Sequence, residues 1–408
     1  MHYLDPFNNG VKNYEITDIV YAYLSEQPKY QETEVIIVNS GQPDRAKITK
    51  LVNRLSEAGA KVIGLDFFFQ ELRGNKIDTL LQESLKKAGN VVLACELYQI
   101  DDNNEQFDRI IGVDTFFSNH AQLGYVNFPA NATKTIRIFS PREKVEGTYF
   151  PAFTSAIMQQ YNTTAYQGLI NRGNDFERIF YIGNKDDFTR YELSQLTDTL
   201  SVEEVSMVVK DKIVLVGYAA EDIWANPLTD RHYTPLNKNY SGKSIPDMYG
   251  VVIHANVLSM VLRSNYIREV PRWLNILLTI IFCYFNVLLI HWIYKKFHET
   301  FHGITRALQV IEFMLLFLLI ALLFYYFRLK LEFQVGILAL VLAYDIIMIY
   351  ESLIKNRIPF LARIPNHFSF RRPVNENEED VSNASQTPEI PVSKNEIADF
   401  TDINPQTL

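Results

Sequence analysis

Cysteine is scarce in this chain. Cys95 lies in an apolar, strand-like run and Cys283 inside a long hydrophobic segment, and no third cysteine occurs among the 408 residues. Neither context favours a disulfide and neither has the spacing of a metal site, so no redox compartment, metal or other cofactor is indicated by cysteine. The first 270 residues carry no strongly basic stretch, which argues against nucleic acid as a partner. Gly217 follows an apolar strand, but VGYAAED has none of the further glycines of a phosphate-binding turn. A G-x-S-x-G elbow and the kinase motifs are also missing, so no catalytic signature marks an enzyme. The opening MHYLDPFNNGVKNYEITDIVYAYLSE has neither a basic start before an apolar core nor a membrane span.

Long hydrophobic runs, by contrast, are plentiful near the end. WLNILLTIIFCYFNVLLIHWIY, ALQVIEFMLLFLLIALLFYYF and FQVGILALVLAYDIIMIY predict three transmembrane helices at about 273–294, 307–327 and 333–353. A net charge of -8 with 21% charged residues hides this block by averaging it with a polar domain. Lys295, Lys296 and Arg306 flank the first connection, and Lys355, Arg357, Arg363, Arg371 and Arg372 follow the third helix. Basic flanks stay inside, which places the first connection and the tail in the cytoplasm and the large N-terminal domain outside. Export of that domain then calls for an apolar segment upstream of Met1. Residues 354–408, polar and proline-containing, read as a disordered cytoplasmic tail.

Residues 1–270 alternate strand and helix signals. TEVIIVNS is a buried strand, and DRAKITKLVNRLSEAGA is an amphipathic helix with Asp44 at its start and Gly59 at its end. KVIGLDFFF, IDTLLQESLKKAGN and VVLACEL continue strand–helix–strand, the pattern of an α/β domain with a helix-covered, largely parallel or mixed sheet. Residues 100–114 read as irregular, ERIFYIG as a strand, DDFTRYELSQLTD as a turn region and 221–248 as a long loop. KDKIVLVG is a late strand and YGVVIHANVLSMVLRSNYI a helix running towards Trp273.

Ligands of such folds sit beyond the carboxyl ends of the strands. Asp66 ends the strand VIGLD, with Phe67 to Phe69 as walls; the plainer alternative has Asp66 capping a turn or pairing with Arg45. Asp222, Asp230, His232, Thr234 and His254 gather polar groups after KIVLVG and suit a hard metal site or an acid–base pair. Their irregular spacing favours a loop with satisfied polar contacts instead. Within the membrane block, Glu312 and Asp345 are the acidic residues to watch, Asp345 as a hydrogen-bonding group between helices.

RLSEAGAKVIGLDFFF, KKAGNVVLA, KDKIVLVG, the Thr234–Pro235 pair and GVVIHANVLSMVL, followed by three membrane helices, resemble the CHASE2 family of bacterial extracytoplasmic sensor domains. The resemblance covers about residues 15–353. It implies an N-terminal membrane helix, a periplasmic or extracellular α/β sensory domain in the bacterial inner membrane, and a following cytoplasmic kinase or cyclase. It also implies Arg45, Asp66, Asp230, Thr234, His254 and Asn256 as ligand-site or fold-defining positions. No effector follows the helices in this sequence, so the expected output is a separate cytoplasmic partner rather than catalysis in the chain itself. The expected partners are the membrane, a small-molecule or envelope ligand, that signalling protein and a second copy of the chain. An envelope scaffold is the alternative, and a hydrolase built on Asp66 with Asp230, His232 and His254 ranks last.

Overall fold

The computed structural model describes residues 15–24, 31–74, 76–101, 106–129, 135–220, 230–237, 246–297 and 301–349. The chain divides into two compact units, Met1–Cys283 with Ala307–Leu340, and Tyr284–Arg306 with Val341–Leu408. The first unit begins with α1 (Ile16–Leu24), β1 (Glu32–Asn39), α2 (Arg45–Glu57), β2 (Val62–Leu65), α3 (Lys76–Ala88) and β3 (Val91–Asp101). There follow β4 (Gln106–Ile111), α4 (Thr115–Ser118), β5 (Gln122–Tyr125), β6 (Ile138–Phe139), β7 (Arg142–Val145), β8 (Thr148–Pro151), α5 (Phe153–Tyr161), α6 (Thr163–Asn171) and β9 (Glu177–Arg178). Next come β10 (Phe188–Glu192), α7 (Val202–Val209), β11 (Ile213–Gly217), β12 (Arg231–His232), β13 (Met248–Tyr249), α8 (Gly250–Leu262) and β14 (Arg268–Glu269). The apolar block supplies α9 (Arg272–Lys296), α10 (Phe301–Phe327), β15 (Leu329–Lys330) and α11 (Gln334–Ile349).

The main sheet runs β10-β1-β11-β2-β3-β5, every pair parallel. The second half of β3 turns to pair antiparallel with β4, and β7 and β8 extend that wing. Period-two alternation splits the strand side chains between two cores. Val35, Ile37, Val62, Ile213 and Leu215 pack on the face that α5 and α8 cover. Ile36, Val38, Ile63, Leu65, Val214 and Val216 pack on the face of α2, α3 and α7. Coverage on both sides explains why these strands read as continuous β-branched runs. The Asp44 carboxylate accepts the Lys47 N–H at 2.8 Å to cap α2, and Gly59 at φ +84° ends it.

Three readings of the sequence change. The supposed turn after Asp186 contains β10, an edge strand beside β1, and the irregular stretch from Ile100 contains β4. Both strands are only half covered, so their polar residues mask the alternation. ERIFYIG pairs as a strand only at Glu177 and Arg178, against β6. The proposed loop 221–248 falls largely outside the described residues, but β12 and β13 pair across it.

The third membrane helix is also corrected. Among the described residues two helices, over Arg272–Ile293 and Phe301–Phe327, are long and apolar enough to cross a membrane, with mean hydropathy 2.2 and 2.6. The described part of α11 has 16 residues, about 24 Å at 1.5 Å per residue, short of a hydrocarbon core of about 30 Å. Residues 350–353 of the expected span, and the expected tail 354–408, lie outside the described residues. In the second unit Asp345 meets Arg306 at 2.7 Å, and Tyr344 takes the same guanidinium over its ring at 4.3 Å.

Backbone approach decides one sequence position outright. A Cβ on Gly124 in β5 would lie 2.5 Å from the Phe153 Cα and 2.8 Å from its nitrogen. Gly124→Ala should therefore push α5 off the sheet and cost about 1–3 kcal/mol in urea unfolding of the full chain. A change below about 0.5 kcal/mol would show that α5 is not seated there.

Candidate functional site

Parallel strands β11, β2 and β5, the last two separated by β3, end at one edge of the sheet, and the residues just past them line a cleft of about 670 Å³. Its walls carry the carboxyls of Asp66, Glu96 and Asp230, the imidazoles of His232 and His254, and the rings of Phe67, Phe68, Phe128 and Tyr218. A crevice at the carboxyl edge of a parallel sheet is the expected place for a ligand.

Sheet hydrogen bonding positions Asp66, whose N–H donates to the Val216 carbonyl at 2.9 Å. Asp230 is held in the left-handed region, φ +58°, and its carbonyl accepts the Gly250 N–H at 3.3 Å. Two glycines let these parts close up. A Cβ on Gly250 would lie 2.8 Å from Asp230 Oδ1, and one on Gly217 would lie 2.9 Å from Val251 Cβ and 3.3 Å from Asp66 Cβ. The Asp230 carboxylate thus sits at the first turn of α8, where unpaired N–H groups favour negative charge.

His254 is one turn further along α8 and only 4% exposed. Phe128 stacks on its ring at 4.9 Å and 25°, and Phe153 meets it edge-on at 5.3 Å. Neither ring nitrogen has a hydrogen-bond partner among the described residues. Burial, with a smaller contribution from nearby His232, lowers its pKa to about 3, so the imidazole is neutral. Burial, and then the Asp230 carboxylate, push the Asp66 pKa up to about 8. His232 Nε2 lies 3.5 Å from Asp230 Oδ1.

The six residues singled out in the sequence therefore separate. Asp66, Asp230 and His254 meet at the cleft, while Arg45, Thr234 and Asn256 are structural. Arg45 pairs with Asp78, not Asp66, and also donates to the Glu71 carbonyl at 2.5 Å. The Asp78 carboxylate takes the Arg73 and Gly74 N–H groups at 2.7 and 3.0 Å, pinning the loop beyond Phe67 and Phe68. Phe69 turns the other way, into the α2–α3 core under Arg45. Thr234 is clasped by Asp247, and Asn256 bonds the backbone of Ile182 and Gly183. Sequence reading missed Glu96, Phe128 and Tyr218. The available signal was position: Phe128 lies just beyond GYVNF and Tyr218 just beyond KIVLVG. Asp222 lies outside the described residues, and among those described no group of three or more His, Cys, Asp or Glu is placed to hold a metal ion.

A doubly covered parallel sheet with a carboxylate-and-aromatic cleft at its strand ends, followed by two helices of membrane-crossing length, defines a class: an α/β domain with a sheet-edge cleft that precedes a block of apolar helices. The CHASE2 domain model matches residues 27–289, more than half of the chain. The chain belongs to the CHASE2 family, whose domains are extracytoplasmic sensors. No curated protein and no solved structure matches it.

The two shifted groups set opposite pH dependences. A buried neutral His254 stabilises the fold above its ordinary 6.5, and that contribution is lost as pH falls towards 3. Asp66 holds its proton more tightly folded than unfolded, so its contribution is lost as pH rises from 3.8 to about 8. Asp66→Asn should flatten the decline in melting temperature between about pH 5 and 8 and leave the acid limb unchanged. An identical decline in the variant would show that Asp66 ionises normally.

Proposed function

We propose that the chain is a membrane-anchored sensor in the bacterial inner membrane, with the α/β domain on the outer side. A small ligand enters the cleft, and the signal passes to a separate cytoplasmic partner. The observation that carries this reading is the course of α8, which lines the cleft with Gly250 and His254 and ends at the opposite edge of the sheet. There Glu32 at the start of β1 takes the Ser259 hydroxyl at 2.5 Å and the Arg263 guanidinium at 3.0 Å. Just beyond, Asn265 accepts from Arg328 at 2.7 Å, and β14 pairs with β15, which follows α10 directly. Phe324 of α10 joins the α8 core cluster and packs edge-on against Tyr21 of α1 at 5.4 Å.

A cleft and a membrane-helix end joined by one rigid helix suit a two-state packing change. A coupling of about 1–3 kcal/mol would alter partner affinity about 5- to 150-fold. The chemistry supports binding over turnover, because an imidazole with a pKa near 3 is a weak general base at neutral pH.

Screening cationic, neutral and anionic small molecules against the full chain in detergent should find one that raises its melting temperature saturably. Phe128→Ala should weaken that ligand about tenfold or more while leaving the unliganded fold intact. Reporter fusions to the N-terminal domain should report the outer side. A cytosolic signal, or a stoichiometric envelope partner with no ligand response at all, would replace the sensor with the scaffold reading.

A further inference from the structure

Taking the cleft as the sensory site, we infer that it binds a small organic cation, an ammonium group carried on an apolar body. Three lining residues, Asp66, Glu96 and Asp230, bear carboxyls, and no Lys or Arg lines the cleft among the described residues. Three described cations donate to residues that adjoin the lining in sequence. Lys185 donates to the Ala220 carbonyl at 3.1 Å, Arg190 to the Ala219 carbonyl at 3.3 Å, and Arg231 to the Tyr249 hydroxyl at 3.2 Å. An anion would therefore face carboxyl groups with no Lys or Arg among the described residues lining the cleft.

Independent support comes from His254. Its ring is nine-tenths buried, lines the cleft and makes only ring contacts. Its ring nitrogens make no hydrogen bond to a described residue and are open to the cleft, not sealed in the core. As a neutral imidazole it offers an acceptor, which an ammonium N–H satisfies and a second acceptor does not. Phe128, Phe67, Phe68 and Tyr218 supply π faces and apolar surface for the rest of the molecule. The cleft is of the size that small-molecule sites have. A divalent metal fits less well, because the described carboxyls and imidazoles do not converge in a ligating group.

Benzylammonium, benzyl alcohol and benzoate form a matched set differing in charge. Titrated into the full chain in detergent at about pH 7, benzylammonium should bind saturably, and the alcohol and benzoate at least about tenfold more weakly. Asp230→Asn should remove most of that preference, and because the Asp230 side chain is 42% exposed the variant should fold. Glu96→Gln, read alongside it, should lower benzylammonium affinity without changing that of the alcohol. Equal or tighter binding of the alcohol or benzoate, or an unchanged preference in Asp230→Asn, overturns the cation assignment. If either of those two binds and His254→Leu abolishes it, the cleft remains a ligand site and only the charge assignment falls. If none of the three binds up to about 50 mM, the cation assignment fails. The sensor reading then stands or falls on the wider screen.

Discussion

Everything in the first unit depends on burying α8 from all sides. From Gly250 to Val261 every residue of this helix is buried, between the sheet and the layer of α5 and α6 with the Ile179–Ile182 segment. A helix without a solvent face must match each of its polar groups inside the protein, because an unpaired buried polar group costs about 1–3 kcal/mol. Asn256 meets that demand with four hydrogen bonds to backbone groups, and Ser259 with Glu32. His254 is matched by aromatic rings alone, and it is the residue that faces the cleft. The same helix that organises the core thus keeps one polar group open at the cleft.

Electrostatics at that edge follow from the close approach of backbone to backbone. Without side chains at Gly217 and Gly250, the strand end carrying Asp66 and the turn carrying Asp230 close on the start of α8. Proximity to a second carboxylate, added to burial, keeps Asp66 protonated near neutrality. Conversely, Asp78 lies beside Arg45 and two backbone donors. Burial works to raise its pKa, but the Arg45 hydrogen bond and those donors hold it below the usual carboxylate value. Two aspartates of one fold are set to different protonation states by what stands next to them, and only the one without a cation belongs to the cleft.

Much of the fold was legible in advance, and the failures share a cause. β1, β2 and β11 announced themselves because central strands covered on both faces are apolar throughout. The edge strand β10 and the wing strand β4 did not, because half of each is solvated. The site was half legible. The rule for strand ends put Asp66 at the cleft, whereas Arg45, its partner in the plainer alternative, lies in the α2–α3 core with Asp78. Phe128 and Tyr218 stood at equivalent strand ends and carried the same signal, but Glu96 did not, since nothing local shows that β3 changes partner midway.

By itself the sequence determined the period of each element, the two long apolar helices, the caps of α2 and the family, since all of these are properties of near neighbours along the chain. Tertiary structure alone decided that Asp66, Asp230 and His254, drawn from segments far apart, share one cleft, and that Thr234 and Asn256 are fasteners outside it. It also decided the charge of Asp66 and of His254. A protonation state is set by distance and burial in space, and side-chain spacing along a chain carries neither.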